Sequence, residues 1–321
     1  ARATPRRRHH GSAERRAGRC VGVRVVSTRA DLRAALQAPA AANATGGQPD
    51  TAAPVLVPTM GALHKGHEAL LDTARAYAGP LVVSIFVNPL QFGPGEDLDR
   101  YPRTLEADLA MCESHGADLA FAPPVDVVYP GGEPQVSIDP GPLAGTLEGV
   151  SRPGHFHGVL TVVAKMFGLV RPGVAMFGQK DYQQLVLVRQ LVRDLCMDVD
   201  IVGAQTARDD DGLALSSRNG YLSDAERVTA GALSRALRAG AAAATAGGGA
   251  DDVLVAAHAE LDAEAELKVD YLELRDPELG PAPTYGEARL LVAGRVGTTH
   301  LIDNIAVTLG PPRRPGGGEG A

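Results

Sequence analysis

No apolar run in this chain approaches the ~18–20 residues needed to cross a bilayer. The longest, Ala78 to Val87, reads as a buried strand. Cysteine is scarce: Cys20, Cys112 and Cys196 lie far apart with no CxxC pair, so neither a zinc cage nor a disulfide framework is encoded. Positive charge is in deficit, with 31 Lys+Arg against 38 Asp+Glu, a formal charge of -7 and a pI near 5.7. That balance argues against a dedicated nucleic-acid binder, whose affinity comes chiefly from neutralising phosphates. No GxxxxGK(S/T) loop is present, which excludes a Walker-type phosphoryl-transfer domain. The expectation from these absences is a soluble protein of a reducing compartment.

What is present suits a globular enzyme. The 321 residues are 45% hydrophobic and 21% charged, enough for a real core, and the length suggests two domains. The charge is unevenly spread. Seven of the 31 basic residues and one of the 38 acidic ones fall in residues 1–20, so the rest of the chain carries -13. Residues 1–20 have no apolar stretch after their arginines, as a secretory signal would need, and are predicted to be a disordered Arg-rich extension. The Ala/Gly/Asn/Pro-rich stretch 38–51 is predicted to be an inserted loop, and the Pro/Gly-rich 310–321 a disordered tail.

Between these stretches, apolar strands alternate with helical periodicity. Strands are expected at Val21–Val26, Val55–Val57, Leu81–Val87, Asp118–Phe121, Val174–Phe177 and Val199–Val202. Helices are expected at Ser27–Gln37, Glu68–Ala78, Leu105–His115, Val159–Val170 and Gln183–Leu195. Continuous apolar strands of this kind are buried on both faces, the pattern of an α/β, doubly wound parallel sheet. After about Thr206 the texture changes. Two Ala-rich helices (Asp224–Arg238 and Asp251–Ala265) precede strands at Val269–Leu274, Ala288–Val292 and Thr299–Ile305, which reads as a smaller α+β domain. The predicted boundaries are 21–205 and 206–309.

The chemistry gathers where strands end. Pro58-Thr59-Met60-Gly61-Ala62-Leu63-His64-Lys65-Gly66-His67 follows a buried strand and opens a helix, the carboxyl-edge position where open parallel sheets bind ligands. Gly61 and Gly66 allow close backbone approach, the helix start offers N–H groups to an anion, and His64 and His67 can donate to phosphate oxygens. As a metal site the turn lacks both the HExxH pattern and a third ligand.

A second island, Leu215-Ser216-Ser217-Arg218, offers two hydroxyls and a fixed cation to an oligophosphate. Alone it is any polar turn; paired with the first it matches the HIGH-like and KMSKS-like motifs of nucleotidylyl-transferring Rossmann-type enzymes. The third island, Gly178-Gln179-Lys180-Asp181, supplies a point charge and a ribose acceptor, with Gln184 one turn further on. Asn88 and Gln91, after the most apolar strand, are amides that can both donate and accept. His155 and His157, in Ser151-Arg152-Pro153-Gly154-His155-Phe156-His157, read as helix-start packing and capping.

Six ordered blocks, PTMGALHxGH, SIFVNPxQF, YPRTLxxD, SRPGHFxG, FGxKDxQQ and GLALSSRN, make the chain similar to the pantoate–β-alanine ligases over residues 21 to 309. The resemblance implies a cytoplasmic homodimer whose smaller domain closes over ATP. It also implies the reaction: pantoate and ATP give pantoyl adenylate and pyrophosphate, β-alanine then displaces AMP, and Mg²⁺ accompanies ATP.

By position it assigns His67, His64 and Lys180 to catalysis. ATP binding falls to Met60, Gly61, His64, Gly66, His67, Gly178, Gln179, Lys180, Asp181, Ala207, Leu215, Ser216, Ser217 and Arg218. Gln91, Gln184 and Asn88 are left for pantoate and β-alanine. Leu90, His157 and Ala207 depart from the usual family residues, and Tyr101 lies in a matched block without an assigned role. Magnesium ligands are not identified, since Asp97, Asp99 and Asp209–Asp211 read as solvated surface acids. Two rivals remain. Another adenylyl- or cytidylyl-transferring enzyme would not need the glutamines, and a nucleic-acid binder would rest on the Arg-rich start alone.

Overall fold

The computed structural model describes residues 22–38 and 52–310. The predicted Arg-rich extension, nearly all of the predicted insertion 38–51, and all of the predicted tail beyond Gly310 lie outside the described residues. Two compact units are present. The first holds the described residues up to Gln179 together with Leu187–Gln205; the second holds Lys180–Val186 and the described residues from Thr206 onward.

The first unit is a six-stranded, wholly parallel sheet. Its strands are β1 (Arg24–Val26), β2 (Val55–Thr59), β3 (Leu81–Ile85), β4 (Leu119–Phe121), β5 (Val174–Gly178) and β6 (Asp200–Ala204), in the order β1-β4-β3-β2-β5-β6. Helices α1 (Arg29–Gln37), α2 (Lys65–Ala74), α3 (Leu105–Ser114), α4 (Val125–Val128), α5 (Glu148–Ser151), α6 (His155–Val170) and α7 (Tyr182–Asp194) intervene along the chain. One covered face collects Val55, Val57, Leu81, Val83, Val174 and Met176 with Leu71 and Cys112 from the helices, while Leu56 and Val82, pointing the other way, are equally buried. Apolar residues on both faces of each strand follow from that double coverage.

The strand order reverses at β2, whose neighbours are β3 on one side and β5 on the other. Pro58 bears on what happens there. Pairing with β3 runs from Val55 through Thr59, whereas pairing with β5 is confined to Val55↔Val174 and Leu56↔Ala175. A proline has no N–H for a ladder. Beyond Leu56 the strands part, and β5 continues to pair with β6 as far as Gly178. The sheet thus splits at its switch point, where open α/β sheets bind ligands.

The second unit carries α8 (Asp224–Thr245), α9 (Ala250–Asp262) and an antiparallel sheet of β7 (Leu267–Arg275), β8 (Gly286–Val296) and β9 (Thr299–Leu309). Ser223 and Glu226 form a capping box at the start of α8, and the Ala-rich sequence carries the helix seven residues past the predicted Arg238. Leu233, Leu237, Leu261, Leu290 and Val292 fill its core.

Candidate active site

The turn after β2 is built from unusual backbone. Gly61 has φ 82° and Ala62, a non-glycine, has φ 49°. Two successive left-handed residues persist only where the surroundings hold them. The brace is Asp108, on α3 and 2% exposed. Its carboxylate accepts from Ala62 N at 3.1 Å and Leu63 N at 2.8 Å, and Thr104 Oγ1 donates to it at 3.2 Å. A Cβ on Gly61 would sit 2.9 Å from Asp108 Oδ2, so glycine is required by space as well as by φ. Thr59 Oγ1 adds a second tie, donating to Ser84 O and accepting from Gly61 N.

Helix α2 begins at Lys65 rather than at the predicted Glu68, which places His67 in its first turn. The two histidines cap it reciprocally. Gly66 N donates to His64 Nδ1 at 3.1 Å, and His64 N donates to His67 Nδ1 at 3.2 Å, with ring centroids 4.3 Å apart. An Nδ1 that accepts places a neutral ring's proton on Nε2. Each neutral ring therefore carries its proton on Nε2, beside a helix N-terminus that favours anions. Gly178 ends the neighbouring β5 and Gln179 follows it, and Gln179 Nε2 donates to Gly203 O on β6 at 3.1 Å.

Gln91 is the most thoroughly held residue of the first unit's candidate site. It lies in a single 3₁₀ turn, Pro89–Gln91, and is 8% exposed. Asn88 Nδ2 donates to its Oε1 at 3.1 Å, and its Nε2 lies 2.8 Å from Met60 Sδ. Asn88 also donates to Gly158 O, and accepts from Tyr129 OH at 2.7 Å and Leu90 N at 3.3 Å. Those four bonds use the full capacity of an amide, so Asn88 serves here to orient Gln91.

The carbonyl of Gln91 is gripped as well, by His155 Nδ1 at 2.8 Å and Arg152 Nη2 at 3.2 Å. Arg152 in turn forks onto Glu96, at 2.9 and 2.6 Å, and its Nη1 lies 3.1 Å from His155 Nε2. Burial first, then the neighbouring guanidinium, drives the His155 pKa down from 6.5 to about 4, so the ring is neutral, donating through Nδ1 and accepting at Nε2. Burial alone would raise the Glu96 carboxyl; the bonds and charge of Arg152 outweigh it and hold the carboxyl below its ordinary value. The expected packing role of His155 is thereby given an object. His157, two positions along, is exposed. Tyr101 is buried, edge-on to Phe92, 5.8 Å between centroids.

In the second unit, Lys180 and Asp181 form a short turn before α7, with Lys180 Nζ 4.0 Å from Asp181 Oδ1. Gln184 lies in the first turn of α7, partly exposed. The Ser216 hydroxyl caps a 3₁₀ turn, Ser217–Tyr221, by accepting from Arg218 N at 3.3 Å. Leu215 N donates to Ala207 O, closing a narrow hairpin ahead of it.

Among the acids noted in the sequence, Asp209 and Asp211 pair with Arg227 at 2.5 and 2.7 Å. No group of three or more His, Cys, Asp or Glu that could hold a metal occurs among the described residues. Cys112, buried beside Asp108, has its thiol pushed up to about 11, chiefly by burial and then by that carboxylate; this is the opposite of what a nucleophile needs. Asp108, Arg152 and Glu96 carry no signal of their own in the sequence; Asp108 and Arg152 are visible only as letters inside matched blocks.

The family model for pantoate-beta-alanine ligase matches residues 24–306. The chain is 60% identical over 272 residues to the pantothenate synthetase of a Nocardioides species, covering 82% of this chain and 80% of the relative. It is 61% identical over 257 residues to that of Nocardia farcinica, covering 80% of each. Among solved structures, the pantothenate synthetase of Thermus thermophilus superposes with a TM-score of 0.81 at 49% identity, covering 88% of this chain and 99% of that one. The pantoate-beta-alanine ligase of Francisella tularensis, complexed with Beta-gamma ATP and Beta-alanine, gives 0.72 at 30%, covering 88% and 97%. With its motifs, parallel sheet and matched span taken together, this chain belongs to the pantoate–β-alanine ligase family.

Proposed function

We propose that this chain condenses pantoate with β-alanine at the expense of ATP, through pantoyl adenylate, and so makes pantothenate for coenzyme A synthesis. The observation that carries the reading is the doubly histidine-capped turn at the split switch point of the sheet, inside the span matched to the family. A carboxylate oxygen of pantoate attacks the α-phosphorus; the bond to the bridging oxygen breaks and pyrophosphate leaves. The amine of β-alanine then attacks the acyl carbon, loses a proton to solvent, and AMP departs with the oxygen that pantoate contributed. No step needs a protein nucleophile.

Charge accumulates on phosphate oxygens in the first step, so what the protein must supply is positioned donors. We assign the Nε2–H groups of His64 and His67, the backbone around Met60, Gly61 and Gly66, and Gly178 and Gln179 of the first unit to ATP. From the second unit come Lys180, Asp181, Ala207, Leu215, Ser216, Ser217 and Arg218. Gln91 and Gln184 are assigned to pantoate, with Asn88 orienting Gln91. Beyond its bonds to Asn88 and Met60, the Gln91 amide keeps capacity for a substrate hydroxyl. The substrate is written as MgATP: such an ion is commonly held by phosphates and water with few protein ligands, which suits a chain with no three-ligand cluster among its described residues. Cytoplasmic location and homodimeric assembly enter the proposal with the family resemblance. No helix among the described residues is long and apolar enough to span a membrane.

The test is pantoate-dependent exchange of pyrophosphate into ATP, followed by AMP release that rises on adding β-alanine. Exchange without pantoate, or AMP release indifferent to β-alanine, would assign the chain to another adenylyl-transfer reaction.

A further inference from the structure

We propose that Asp303 and Asn304 of β9 are a positioning pair that sets Lys180 and the Ser216–Arg218 loop in register with each other. The proposal rests on the assignment of those two segments to ATP and adds the device that holds them, which lies entirely within the second unit.

Successive side chains of a strand point to opposite faces, so two adjacent residues can reach two different segments. Asn304, 4% exposed, donates from Nδ2 to the carbonyl of Lys180 at 2.8 Å. Its Oδ1 accepts from Arg289 Nη1 at 3.2 Å, which decides the orientation of the amide. Arg289 itself lies 3.9 Å from the centroid of the Tyr182 ring, and Tyr182 OH donates to Pro277 O at 2.9 Å. The segment from Lys180 to Tyr182 is thus held at its backbone by Asn304 and at its aromatic end by one hydrogen bond and one cation–π contact. A lysine side chain is a flexible four-carbon stem. Fixing the carbonyl it springs from narrows where the ammonium can reach.

Asp303, 3% exposed, reaches the other segment. Its two oxygens take the guanidinium fork of Arg208 at 2.5 and 2.9 Å, and Oδ1 also accepts from Asn304 N at 2.7 Å. Arg208 carries the grip onward, donating from Nη1 to Gly212 O at 3.0 Å. Gly212 has φ 87°, the left-handed turn that reverses the hairpin. That hairpin closes at Leu215 N to Ala207 O, one residue before Ser216. One dipeptide therefore touches Lys180 directly and, through Arg208, the hairpin that leads into Ser216. A bidentate ion pair with a buried carboxylate gives weak net stabilisation, and what it does supply is geometry.

The experiment compares half-reactions. Asn304→Asp keeps the size and the acceptor for Arg289 while replacing the donor to Lys180 O by a carboxylate oxygen. The expected result is a fall of about 10- to 100-fold in kcat/KM for ATP in pantoate-dependent ATP–pyrophosphate exchange, the scale of a misplaced reacting group. Pantothenate formation from supplied pantoyl adenylate and β-alanine should stay near the wild-type rate. Asn304→Ser, too short to reach Lys180, should give the same split should the aspartate fold poorly. Unchanged exchange in a folded variant would overturn the proposal. So would equal loss of both half-reactions, or loss of the folded state in both variants, because the pair would then be merely structural. Lys180→Ala separates the two layers: normal exchange there removes the ATP assignment itself, whatever Asn304 does.

Discussion

The two units hold their candidate ATP segments by different means. In the first, a single carboxylate suffices: Asp108 takes the N–H groups of Ala62 and Leu63, and the histidines cap each other three residues apart. In the second, Lys180 and the Ser216 hairpin are tied through residues 208, 289, 303 and 304, far apart along the chain. The first arrangement makes the anion-binding turn an extension of the sheet. The second makes the position of each segment depend on a strand that binds nothing itself.

The largest effect should come from the groups assigned to phosphate. His67→Ala removes an Nε2–H donor and is expected to cost about 10²–10³ in the rate of adenylate formation, by analogy with the loss of an oxyanion-stabilising donor. The melting temperature should fall only slightly, by the loss of one capping bond. His67→Ala also removes the acceptor for His64 N, so His67→Asn, which restores an acceptor, should recover helix stability and not rate. A melting curve beside the exchange assay separates the two.

Next comes the single-carboxylate brace. Asp108→Asn keeps one acceptor oxygen and turns an amide N–H toward a backbone N–H. It should lower exchange by about 10- to 100-fold and cost about 1–3 kcal/mol of stability by stranding a buried group. At Asn304 stability falls as well, for the same stranding of a buried partner, and the split between half-reactions is what marks its role. Full stability in Asp108→Asn would show that this carboxylate does not brace the turn.

A smaller, pantoate-specific effect is expected at Gly158. A Cβ there would lie 2.1 Å from Leu90 O and 2.6 Å from Gln91 N, both backbone atoms. Gly158→Ala must push the Gln91 turn off α6, at about 1–3 kcal/mol by the usual cost of overpacking. KM for pantoate should rise and KM for ATP should not, as initial-rate kinetics would show.

The smallest effect is on pH dependence. The His155 pKa is depressed in the folded protein from 6.5 to about 4, so the unfolded chain takes up a proton first as pH falls. Its contribution is complete above about pH 6.5 and is lost toward pH 4. The Glu96 carboxyl, held low by Arg152, acts in the same direction, its contribution fading as pH drops below the ordinary value of 4.5. Denaturant midpoints across this range should decline in wild type and decline less in His155→Gln.

How much could be read from the sequence follows from the same contrast. The doubly wound sheet was legible because buried parallel strands are continuous apolar runs, and Leu81–Ile85 and Val174–Gly178 fall where those runs predict. The turn from Met60 to His67 was legible because glycine and histidine declare a local conformation and a local chemistry. Asp108 was not, since a carboxylate on a helix reads as solvent-facing until the fold points it at a turn 45 residues away. Asn88 looked like a substrate amide for the same reason; its four partners, Gln91, Leu90, Tyr129 and Gly158, exist only in three dimensions. Asp303 and Asn304 lie in a strand whose period announces only a half-buried edge. The -13 carried by the chain outside residues 1–20 repels anionic substrates, so binding must come from local donors and cations.

The most direct test of the chemistry follows the carboxylate oxygen. Pantoate labelled with heavy oxygen in its carboxyl group, turned over with MgATP and β-alanine, should yield AMP carrying one labelled oxygen and unlabelled pyrophosphate. Unlabelled AMP would mean that pantoate does not attack the α-phosphorus, and the account built on positioned phosphate donors would be contradicted.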